Sequence, residues 1–147
     1  MVKITDSSIH IEKLLVHVTK PESGAVNVFI GTTRNHSNGR KVIGLEYEAY
    51  LPMALKTLEE LQKEAKNRWG LHDVTIVHRV GKVNVGEASV VIAVSSAHRD
   101  EAYQASRFLI DKLKQVVPIW KREFFEDGIT LEIRSPKSSI RNAPRFF

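Results

Sequence analysis

Two periodicities alternate along the chain and divide it into helices and strands. Val2 to Thr5 reads as a short strand and Ile9 to Val18 as an amphipathic helix, broken at Lys20-Pro21-Glu22-Ser23-Gly24. Ala25 to Ile30 predicts a strand ending at Gly31. The polar loop Thr32 to Arg40 follows, and its Asn38-Gly39 pair favours positive φ and a tight reversal. Val42 to Ala49 alternates as a second strand, and a hairpin with Ala25 to Ile30 is the expected pairing. Pro52 suits the first turn of a helix whose apolar positions Leu55, Leu58, Leu61, Ala65 and Trp69 recur in steps of three and four until Gly70. Val74 to Val80 and Ala88 to Ser95 predict strands joined through Gly81 to Gly86. A third helix spans His98 to Val116 and is expected to bury Ala102, Ala105, Leu109, Leu113 and Val116, with Asp100 and Glu101 at the positive end of its dipole. Pro118 forbids its continuation. Ile129 to Arg134 reads as a last strand, and the basic tail from 135 to 147 as a segment either disordered or docked on a partner. Helices interleaved with β-branched runs define a mixed α/β fold.

Composition narrows the class. A chain of 147 residues fits one domain, 1–147, able to bury roughly two thirds of its unfolded surface without staples. Its longest strongly apolar run, Val90 to Val94, is far too short for a bilayer, so no membrane role is expected. The absence of cysteine excludes disulfides, thiolate nucleophiles and persulfide carriers, and fits a cytoplasmic location. Any sulfur handled by this protein must arrive on something else. Twenty-two Lys plus Arg against seventeen Asp plus Glu attract anions without specifying which.

Three polar clusters fall at element ends. Arg34-Asn35-His36 follows Gly31. Ser95-Ser96-Ala97-His98-Arg99 opens the third helix, where free N–H groups favour an anion. Lys114 and Lys121 bracket the apolar stretch Val116 to Trp120. Each cluster also has an ordinary explanation: a lysine that stabilises a helix terminus, one that snorkels past Trp120, a histidine that caps, an arginine that is merely solvated. No Walker loop, Ser-His-Asp spacing or metal-ligand spacing is present.

The segments GTTRN, LEYEAYLPMA, VHRVGKVNVGE, VSSAHRDEA and LIDKLKQVVPIWKRE followed by EDG resemble the family of large, catalytic subunits of molybdopterin synthase, over about Gly24 to Gly128. The resemblance implies an α/β hammerhead-type fold with an additional antiparallel β subdomain. It implies a sulfur transferase converting cyclic pyranopterin monophosphate to molybdopterin, with no cofactor or metal of its own. The sulfur donor would be the C-terminal Gly-Gly thiocarboxylate of a small ubiquitin-like subunit, and two large subunits would form the central dimer of a heterotetramer. Carried over by position, the family's essential lysines fall on Lys114 and Lys121, and its anion-binding residues on Arg34, His98 and Arg99. One lysine is expected to move a proton. The chain departs from the family at Ile129-Thr130-Leu131, where a tryptophan is common, and in its tail; Arg134 is the nearest candidate for a further pocket arginine. Other classes remain: a basic RNA-binding or regulatory domain, which would expose aromatic rings for stacking, a Schiff-base enzyme using Lys114 or Lys121, and a subunit that only scaffolds its partner.

Overall fold

Nine strands and three helices alternate through the described part of the computed structural model, residues 1–128 and 130–135. In chain order they are β1 (Val2–Thr5), α1 (Ile11–Val18), β2 (Ala25–Thr32), β3 (His36–Ser37), β4 (Arg40–Ala49), α2 (Leu51–Trp69), β5 (Asp73–Arg79), β6 (Gly81–Val83), β7 (Ala88–Ser96), α3 (Arg99–Val116), β8 (Ile119–Phe125) and β9 (Thr130–Ser135). No described helix is long and apolar enough to cross a membrane.

The strands divide into two sheets. The first has the order β1-β5-β7-β2, with β1 parallel to β5 and the remaining pairs antiparallel. The residues from Ser89 to Ser96 in β7 are all buried, because both faces are covered. Val90, Ile92 and Val94 join Leu58, Leu61, Leu109 and Leu113 of α2 and α3 in the main core, whereas Val91 and Val77 pack against Leu14 of α1. A continuous apolar run is the mark of such a two-sided strand. The second sheet is antiparallel, ordered β3-β4-β8-β9, with β6 also paired to β4. Its own small cluster is Val42, Leu45 and Phe125. This division matches the expected hammerhead-type fold with a separate antiparallel β unit.

Four expectations need correction. The hairpin is real, but its strands are β3 and β4. Ala25 to Ile30 instead pairs with β7. Asn38 at φ 51° and Gly39 at φ 75° make the predicted reversal, so the turn was legible and the partner was not. Val116, expected to be buried, is 41% exposed as the last residue of α3. In α2, Ala54 is buried where Leu55 was expected and Leu55 is only half-buried. Finally, Ile119 to Phe125 is a strand the periodicity did not announce, and Gly81 to Val83 adds a short one within the expected bend. Ile129 and the tail from 136 onward lie outside the described residues; Ser135 closes β9.

Local chemistry sets the boundaries that matter for the site. Pro52 lies in the first turn of α2, and Gly70 ends it in the left-handed conformation at φ 59°. Val117 ends α3 with extended backbone, as a residue before proline prefers. Pro118 is fully buried. The chain therefore turns directly from α3 into β8.

Candidate active site

Between the two sheets, below the C-terminal end of α3, lies a cavity of about 840 Å³, within the usual range for a small-molecule site. Its apolar wall comes from Phe29, Val90, Ile110, Leu113, Val117 and Ile119. Three cations line it from three separate segments: Arg34 from the loop after β2, Lys114 from the last turn of α3, and Lys121 from β8. One carboxylate, Glu123, lies among them. Three positive charges against one negative charge beside an apolar wall suit an anionic ligand with a flat or apolar body.

Strand alternation explains the lower wall. Tyr47 stands opposite Lys121 and Leu45 opposite Glu123 in the pairing of β4 with β8, and all four line the cavity. The intervening residues face the other way, where Arg122 lies 3.4 Å from Glu46 and 3.9 Å from Glu48. Lys121 Nζ is 3.4 Å from Glu123 Oε1. Glu123 is 6% exposed, and its Oε2 has no hydrogen-bond partner among the described residues. A buried carboxylate oxygen left open is an acceptor available to a bound donor. The upper wall depends on a glycine: a Cβ at Gly31 would sit 2.7 Å from Val90 Cγ1, so a side chain there would crowd the wall. Ser89 Oγ donates to the Gly31 carbonyl at 3.2 Å and ties this segment to β7.

His98 and Arg99 stand apart from the cavity. Both are exposed, at the start of α3. From 99 to 114 the helix rises through fifteen steps, about 22 Å at 1.5 Å per residue. One chain therefore does not bring them to Lys114. His98 occupies the N-cap position without a side-chain capping bond, so capping does not explain it; Ser96 Oγ donates to its carbonyl instead. Arg134 stands opposite Trp120 in β9, and its side chain lies outside the described part of the structure. Sequence reasoning singled out Arg34, Lys114 and Lys121 but passed over Glu123, Tyr47 and His78, which also line the cavity. With β8 recognised as a strand, its period of two would have put Glu123 beside Lys121.

The fold agrees with what is found among known proteins. Residues 4–116 match the family described as MoaE protein, and the chain belongs to that family. It is 47% identical over 126 residues to the molybdopterin synthase catalytic subunit of Bacillus subtilis, covering 86% of this chain and 80% of that relative. The human molybdopterin synthase catalytic subunit is 42% identical over 130 residues, 88% of this chain and 69% of its own. Among solved structures, the molybdopterin synthase of Staphylococcus aureus superposes with a TM-score of 0.83 at 40% identity, covering 88% of this chain and 94% of that one.

Proposed function

We propose that the chain is the catalytic subunit of a molybdopterin synthase, acting in the cytoplasm on cyclic pyranopterin monophosphate. The observation that carries this reading is the convergence of Arg34, Lys114 and Lys121 from three segments on one cavity. Arg34 takes the substrate's phosphate, for which a guanidinium offers a planar fork. Lys114 and Lys121 receive the thiocarboxylate tail of a small Gly-Gly subunit. The tail's sulfur bonds to a substrate carbon as that carbon's C–O bond breaks and the oxygen leaves with the electron pair; water then adds to the thioacyl carbon and its C–S bond breaks. The sulfur stays on the substrate, and the tail leaves as a carboxylate. The lysine ammonium groups stabilise the oxyanion of that addition, and one of them moves the proton. Water-borne release of this kind needs no protein thiol, in keeping with a chain that has no cysteine.

His98 and Arg99 act on the same substrate from a second copy of the chain, since about 22 Å of helix separates Arg99 from Lys114 in one copy. The assembly is then a central dimer with one small subunit at each end. Domain 1–147 works as one unit, and Arg134 is the candidate for a further substrate-binding arginine. The rival stacking surface for RNA has little support: among the described Phe, Tyr and Trp residues Tyr103 alone is exposed, at 63%. Reconstitution with the thiocarboxylated small subunit tests the proposal. Lys121→Ala is expected to abolish dithiolene formation in a folded protein, and near-normal turnover would refute its role.

A further inference from the structure

His78 is among the polar groups on the cavity wall that these roles leave unused. His78 lies near the end of β5, is 4% exposed, and lines the cavity. Alternation puts it on the face of β5 that sends Val74 and Ile76 into the main core. An imidazole thus stands where an aliphatic side chain would pack. Its Nδ1 is 2.8 Å from the Arg79 carbonyl. A carbonyl only accepts, so Nδ1 carries the hydrogen and Nε2 of the neutral ring presents a lone pair. Among the described residues Nε2 has no hydrogen-bond partner.

The ring plane is fixed from a second side. Tyr47 meets it edge to face, with centroids 5.1 Å apart and planes at 72°, and Tyr47 stands opposite Lys121 across the β4–β8 pair. The lone pair is therefore held beside the segment that carries a proposed catalytic lysine. Burial lowers the His78 pKa to about 4, so the ring stays neutral near pH 7. A lone pair repels phosphate oxygens and welcomes an N–H or O–H. In this cavity the two ends of a ligand meet different chemistry: cations at Arg34, Lys114 and Lys121, and a neutral acceptor at His78.

We propose that His78 orients the substrate, its Nε2 accepting a hydrogen bond from an N–H or O–H of the substrate's fused-ring body while the phosphate lies at Arg34. This rests on the reading of the cavity as the pyranopterin site. It assigns the ring end of the substrate to the Tyr47–His78 wall and decides which face of the molecule Lys121 meets.

Three substitutions test it in the full chain assembled with its thiocarboxylated partner. His78→Phe keeps the ring and its contact with Tyr47 but has no lone pair. His78→Asn keeps a donor for the Arg79 carbonyl and ends short of the Nε2 position. His78→Gln can place an amide oxygen near that position. His78→Phe and His78→Asn are expected to raise KM for cyclic pyranopterin monophosphate by about tenfold, with small-subunit affinity unchanged, and His78→Gln to recover most of the loss. If His78→Phe does not fold, His78→Asn gives the same reading. A KM within about twofold of wild type in the folded variants, or equal impairment of all three, would overturn the assignment while leaving the function intact. A wild-type complex that forms no dithiolene would overturn both.

Discussion

The two sheets of this molecule are built from opposite materials. In the first, β7 is buried from Ser89 to Ser96 and its faces are filled by Leu, Ile and Ala from three helices. In the second, β4 and β8 carry Glu46, Glu48, Lys121, Arg122 and Glu123 within a few residues of one another. Glu48 and Glu123 are each 6% exposed. Buried charge is costly even when paired, and each fully buried aliphatic side chain stabilises by about 1.5–3 kcal/mol. The first sheet thus holds the fold, and the second spends stability on chemistry. The cavity lies where they meet, so its cations stand on a rigid support.

Substitutions in the two sheets should therefore separate activity from stability. The largest effect is expected from Lys121→Ala, with turnover down by about 10²–10³-fold or more in a protein that still unfolds cooperatively. A loss traceable to unfolding would erase the distinction. Leu109→Ala, in the main core at 1% exposure, should cost about 2–5 kcal/mol in urea unfolding and leave the kcat of the folded fraction unchanged. A cost below about 1 kcal/mol would show that the first sheet is not where stability is concentrated.

His78, which lines the cavity, offers a pH test. Its folded pKa of about 4 lies below its ordinary 6.5, so the unfolded chain takes up the proton first. Stability should be complete above about pH 6.5 and fall as pH drops towards 4, by about 2 kcal/mol at pH 5. In His78→Phe this dependence should flatten; an unchanged slope between pH 7 and 5 would assign it to other groups. The smallest effect is expected at the hairpin. Gly39→Ala meets no neighbour but must hold φ near 75°, which should cost about 1 kcal/mol with turnover unaffected.

Much of the fold could be read from local pattern, because helices and two-sided strands announce themselves within a few turns. Gly70, Pro52 and Asn38-Gly39 mark boundaries that the structure keeps. Pairing was harder. Ala25 to Ile30 finds β7 rather than β4, a choice made by packing far along the chain. β8 was hidden because alternate positions hold Lys121 and Glu123 rather than apolar residues, immediately after a helix-ending proline. The candidate site was legible in part for the same reason. Arg34 and Lys114 lie at element ends, where polar clusters show above an apolar background, Lys121 stands out just after the apolar stretch ending at Trp120, and the three share one cavity. His98 and Arg99 are equally visible in sequence, yet the length of α3 sets them apart. His78 was concealed inside an apolar strand, where a histidine reads as filler.

The irregular register between Val42 and Gly44 in the pairing of β4 with β8 has a consequence for how far this scaffold tolerates change. Side chains alternate along a strand, so sliding β8 by a single position would turn Lys121 and Glu123 outward and bring Arg122 and Phe124 in their place. The kink acts as a detent against such slippage. Insertions or deletions in the short link between β8 and β9 should accordingly be harmless only if this notch still seats, whereas lengthening the turn at Asn38-Gly39 leaves the alignment untouched.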